Sequence, residues 1–219
     1  MRTIRVTGNG LLEIAPDTTR ITISLHGLYP EYGDALRHSS EDSSVLREMV
    51  FQLGFQKTDL KTLSFDIDAR YESYRDDRGD FHQRLLGYEF THVMKLEFPN
   101  DRDRLGTILY TLAHGKLTPE FSISYTIADP EAAKNEVLAR AVSDSRAKAE
   151  VICQAAGVQL LAIESIDYSW GQINLEVSPM RDSVIAEKCM SLPTASYDMD
   201  IEPDDISIRD TVTVIWEIQ

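Results

Sequence analysis

The sequence predicts an α+β fold, with about three helices packed on a long, curved, antiparallel or mixed sheet. Apolar residues alternate with period two in about seven or eight segments, as half-buried strands require. Three further segments switch to a helical period and lie between strands, so crossovers accompany the hairpins. The longest helical pattern, 129–157, presents a face of small side chains suited to lying flat on a sheet.

The first strand runs over 3–14, with Ile4, Val6, Leu12 and Ile14 alternating. Gly8-Asn9-Gly10 interrupts it as a bulge or tight turn would. After the turn signal Pro16-Asp17, Ile21, Ile23 and Leu25 alternate, and the two strands read as an antiparallel hairpin. Over 30–53, Tyr32, Leu36, Ser39, Ser43, Leu46, Val50 and Leu53 share one helical face, closed by Gly54. The polar run HSSEDSS within it is weak in helix propensity and predicts a kink or break. A strand over 60–74 and a partner over 86–98 flank a turn at 76–80, where Gly79 supplies positive φ. The partner's alternation slips between Phe90 and Val93, which reads as a bulge.

Asp101 or Asn100 caps a second helix over 102–113, with Leu105, Ile108, Leu109 and Leu112 inward. A short strand, 121–127, leads into the long helix. There Asp129 is the N-cap, Pro130 the first helical residue and Gly157 the left-handed C′ residue. Leu138, Ala141, Ser145, Ala149, Ile152 and Ala156 form its predicted buried face. Strands over 160–168 and 206–218 complete the pattern. Residues 171–205, with Pro179, Pro193 and Pro203, read as an irregular surface excursion within a single domain spanning 1–219.

The balance of 22 basic against 36 acidic residues, −14 net, argues against nucleic acid or an anionic membrane as partner. No window approaches the ~18 apolar residues of a membrane-spanning helix, so membrane insertion is not expected. The N-terminus shows no signal-peptide run, which makes the chain cytoplasmic as written, or periplasmic if a leader has been trimmed. Cys153 and Cys189 belong to no CxxC or Cys–His motif. Cys153 reads as a small buried thiol, and a disulfide between the two stays open.

The acidic run Asp198, Asp200, Glu202, Asp204 and Asp205 is the one candidate metal site, since hard cations favour several oxygens from a short loop. It departs from an EF-hand, with Pro203 at the sixth position and Arg209 at the twelfth. The five histidines, His26, His38, His82, His92 and His114, have no metal-ligand spacing. Neither a dinucleotide fingerprint, a P-loop nor a nucleophile elbow is present. Tyr71, Tyr74 and Tyr88 flank the 76–80 turn, either as an interaction surface or as half-buried sheet packing.

Several ordered segments together resemble the SIMPL domain family, the domain of unknown function 541 group. These are IRVTGNG at the start, PDTTRITISL, LGFQKTDLKT, GYEFTHVMKLEF, DRDRLGTILYTLAHG and FSISYTIADPEAAKNEVLARAVSDSRAKAEVICQAAGV. The last is the most specific, joining a strand, an Asp-Pro start and an Ala-rich helix ending in Ala-Ala-Gly. The family includes periplasmic proteins linked to oxidative stress defence and an immunogenic antigen. The resemblance implies an α+β domain that self-associates, with no catalytic residues and no cofactor to carry over. The expectation is therefore a non-enzymatic, homo-oligomeric scaffold or stress-associated binding protein, with a protein partner also open. The alternatives are an acidic cation-binding module and a hydrolase with a carboxylate pair assembled in space.

Overall fold

The computed structural model describes residues 2–76, 79–168, 175–178 and 201–219. Among them the order is β1 (Arg2–Ile14), β2 (Thr18–Tyr29), α1 (Tyr32–Gln52), β3 (Lys61–Arg75) and β4 (Phe81–Pro99). Then follow α2 (Arg102–Ala113), β5 (Glu120–Thr126), α3 (Pro130–Ala156), β6 (Leu160–Asp167) and β7 (Ile206–Ile218). The α+β expectation holds, and the strands divide into two antiparallel sheets. The chain forms two compact units: residues 1–17, 125–177 and 203–219, and residues 18–124 with 178–202.

In the first unit β7 lies between β1 and β6. The hairpin expected of β1 and β2 does not form: β1 pairs along its whole length with β7, from Arg2 opposite Ile218 to Ile14 opposite Ile206. Nor is Gly8-Asn9-Gly10 a bulge, because the register with Thr211, Val212 and Asp210 is unbroken through it. These glycines instead admit α3. A Cβ on Gly8 would lie 1.9 Å from the Ala141 carbonyl oxygen, and one on Gly10 would lie 2.0 Å from that of Val137.

The small-residue face of α3 lies on the sheet as expected through Ala141, Ser145 and Ala149, but it continues to Ala133, Val137 and Cys153 rather than to Ile152 and Ala156. The buried row is Ala133, Val137, Ala141, Ser145, Ala149 and Cys153, repeating every four residues, while Ile152 is exposed. Its ends follow the sequence: Asp129 accepts from the Ala132 N–H at 2.9 Å, and Gly157 adopts φ +67°. Val6, Val212, Val214 and Trp216 pack beneath the helix. Ser145 is buried among them, donating to the Val6 carbonyl and accepting from the Trp216 indole. Cys153 is a buried free thiol; Cys189 lies outside the described residues.

The second unit carries the sheet β3-β4-β2-β5. Its core joins Ile21, Ile23 and Leu25 of β2 to Phe90, Met94, Leu96 and Phe98 of β4. Leu46 and Val50 of α1 and Leu105, Ile108, Leu109 and Leu112 of α2 complete it. α2 follows the sequence, with Asp101 accepting from the Arg104 N–H. α1 runs unbroken through HSSEDSS, and burial of Ala35, Ser39, Leu46 and Val50 shows why: tertiary packing outweighs weak propensity. Tyr32 and Leu36, placed inward by the sequence, are exposed.

β4 has no bulge between Phe90 and Val93, since pairing with β2 and β3 is continuous there. The inward alternation continues as Phe90, His92, Met94, and the slip arises because the inward residue at 92 is a histidine. Real irregularities fall elsewhere in the β3–β4 ladder, at Thr62/Ser64 and Arg70/Tyr71. Of the excursion over 171–205, only 175–178 and 201–205 are described; Val177 bridges Tyr125 in the first unit.

Candidate interaction surface

Among the described residues, those nominated for chemistry do not converge. Asp198 and Asp200 lie outside the described residues. Glu202 pairs with Arg102, and Asp204 accepts from the Asp205 N–H, so these carboxylates serve local contacts. Among the described residues no group of three or more His, Cys, Asp or Glu side chains is placed to hold a metal ion.

The histidines are dispersed. His38 stacks on Tyr29, His82 contacts Asp76 at 3.0 Å, and His114 bonds to the Tyr110 carbonyl. His92 stands on the inward side of β4, its Nε2 2.9 Å from Thr62 Oγ1 and its ring edge-on to Phe65. Its Nδ1 is buried and finds no partner. Burial, with the nearby positive charge of Arg47, holds its pKa below the usual histidine value.

A depression in the first unit is lined by Leu12, Ile14, Ile127, Asp17, Asp129 and Glu136, among others. Two of its three carboxylates are structural: Asp17 accepts from the Ala128 N–H, and Asp129 caps α3.

What the fold does organise is its sheet edges, and it treats them differently. β1 is an edge strand, and a bare edge offers unpaired N–H and C=O groups to any passing strand. α3 covers this one with three side chains spaced four residues apart. Arg140 donates to the Leu11 carbonyl, Asp144 accepts from the Asn9 N–H at 2.7 Å, and Lys148 reaches the Thr7 carbonyl at 3.4 Å. Lys148 and the Asn9 N–H together hold the Asp144 carboxyl below the usual range.

β3, one edge of the other sheet, has no comparable cover among the described residues. It is 15 residues long, and only Ile67 is not exposed along it. Ile67 reaches the core, but Phe65 and Leu63 stay open. Farther along, β2 ends opposite Tyr88, leaving β3 and β4 to continue as a two-stranded ribbon. The ribbon begins at the bulge where β4 carries Leu86 as an extra residue. There Gly87 adopts φ +151°, and a Cβ on it would meet the Tyr29 carbonyl at 2.3 Å.

The ribbon exposes Tyr71, Tyr74, Phe81, Leu85 and Leu86, with Tyr71 at 60% and Phe81 at 71%. Cross-strand ion pairs hold its register: Arg70 with Glu89, and Arg84 with Glu72. Two of the three tyrosines singled out in the sequence, Tyr71 and Tyr74, thus lie on this surface, while Tyr88 is half-buried. The ribbon's length was missed because the sequence placed the start of β4 at 86 rather than at Phe81. The alternation Phe81, Gln83, Leu85 was the available signal.

The profile described as "SIMPL: Protein of unknown function (DUF541)" matches residues 4–216. The chain belongs to the SIMPL family. Similar proteins include the 26 kDa periplasmic immunogenic protein of Brucella abortus (strain S19). It is 24% identical over 219 residues, covering 99% of this chain and 84% of the relative. The protein of the same name from Brucella melitensis biotype 1 is 23% identical over the same span. No helix among the described residues of this SIMPL protein is long and apolar enough to cross a membrane.

Proposed function

We propose that this SIMPL-family chain is a non-enzymatic, self-associating protein of the cell envelope, acting as a scaffold or stress-associated binding protein. One observation carries the reading: a 15-residue edge strand is left uncovered by the described residues and extends into a two-stranded ribbon that exposes large apolar side chains. A two-stranded ribbon is marginal in water by itself, and a third strand or an apolar cover stabilises it. The same molecule shields β1 with a row of charges, while the shorter edge strand β6 also exposes Leu161, Ile163 and Ile166. An envelope location is supported by the periplasmic relatives.

Chemical cross-linking of intact cells, followed by fractionation, tests the proposal. The expected result is a ladder of multiples of 24.8 kDa in the envelope fraction. A single band at the monomer mass in the cytosol contradicts it.

A further inference from the structure

Resting on the self-association just proposed, we infer that the edge of β3 pairs antiparallel with β3 of a second copy, in a register centred on Tyr71. The occupant follows from the charges along the strand. A two-fold axis perpendicular to a sheet keeps each residue on its own face, so an antiparallel self-pairing must be centred on a residue. β3 reads Lys61, Asp66, Asp68, Arg70, Glu72 and Arg75 in its charged positions.

Centring on Asp68, Arg70 or Glu72 sets that residue against itself. Centring on Ala69 sets Asp68 opposite Arg70 twice but also opposes Asp66 to Glu72 in both halves, so its attractions are offset. Centring on Tyr71 sets Arg70 opposite Glu72 twice, with no like charges facing each other between Ile67 and Arg75. Opposite charges directly across a strand pair stabilise it, and like charges do the reverse.

This register also continues pairs already present in each copy. Within one protomer Arg84 binds Glu72 and Arg70 binds Glu89. Joining two copies yields a row across four strands, Arg84, Glu72, then Arg70 and Glu89 of the second copy, with signs alternating throughout. On the opposite face Tyr71 meets Tyr71, and Ala69 meets Ser73. The exposed rings near the axis gain cover, and the two ribbons become one four-stranded sheet, which is no longer marginal.

The test is sedimentation velocity of the full chain as wild type, Arg70→Glu, Glu72→Arg, and the two variants mixed. Either variant alone faces like charges twice at the axis. The mixture restores an Arg–Glu pair at both places, although each variant loses one internal pair, Arg70 with Glu89 or Arg84 with Glu72. Wild type and mixture are expected to associate, while each variant alone loses association at least tenfold. A mixture no better than its components overturns the register, as do variants that associate like the wild type; in both cases self-association itself survives. A monomeric wild type overturns the proposed function and this inference together. As a second readout, Tyr71→Cys in a Cys189→Ser background is expected to form a disulfide-linked dimer on mild oxidation. A Tyr71→Cys chain that stays monomeric under the same oxidation counts against the pairing.

Discussion

Gly8 lies beneath Ala141 so closely that a Cβ on the glycine would stand 1.9 Å from the Ala141 carbonyl oxygen. The backbone of β1 is in contact with the backbone of α3, and a row of alanine and serine side chains permits it. Replacing Gly8 with Ala forces the helix off the sheet. We predict a loss of about 2–3 kcal/mol, at the upper end of ordinary overpacking, read as a lower urea midpoint. Ala149→Leu, on the same buried row at 0% exposure, is expected to cost about 1–3 kcal/mol. An unchanged midpoint in both would mean that α3 does not rest on this sheet.

Ser145 is the polar member of that row, and it joins two elements. Its hydroxyl donates to the Val6 carbonyl and accepts the Trp216 indole N–H at 3.2 Å. Ser145→Ala leaves both buried groups without this partner. The expected cost is about 1–3 kcal/mol, since an unsatisfied buried donor loses its full solvation. A red-side change in tryptophan emission should accompany it, and a mutant as stable as wild type contradicts the assignment.

His92 predicts a pH dependence of defined sign. Burial and Arg47 lower its folded-state pKa, so the unfolded chain takes up a proton first as the pH falls. Its contribution is present above the unfolded value of about 6.5 and is lost as pH drops from there through the folded value. Thr62 and Phe65 face it from β3 and supply no carboxylate to offset the charge. His92→Gln should flatten the decline in urea midpoint between about pH 6.5 and pH 5. An equally steep decline in that variant removes His92 as its source.

Much of this architecture was legible because its signals are local. Asp129, Pro130 and Gly157 mark the ends of α3, and Gly79 with φ +89° marks the β3–β4 turn. What failed was long-range or depended on a partner. β1 was matched to its neighbour β2, whereas it pairs with β7 at the other end of the chain, and no local pattern encodes that choice. The face of α3 was legible in part: Ala141, Ser145 and Ala149 lie on it, but apolarity also favours Ile152, while contact with Gly8 and Gly10 selects small side chains at four-residue steps. His92 hid the alternation of β4, a polar residue at an inward position. The candidate surface was half legible: Tyr71 and Tyr74 stood out, but their exposure depends on where β2 ends.

The charged row on α3 makes a separate prediction. Asp144 accepts from the Asn9 N–H, which faces the outer edge of β1. Asp144→Ala should speed hydrogen exchange at Asn9 well beyond that at its neighbours paired with β7. Exchange at Asn9 unchanged from wild type would show that the contact does not protect the edge.

The central claim is that the uncovered β3 edge and its apolar ribbon make this SIMPL protein self-associate. Sedimentation velocity of the purified chain at micromolar concentration tests it most directly. The expected result is a boundary whose mass is a multiple of 24.8 kDa. A single boundary at 24.8 kDa across the concentration range would contradict it.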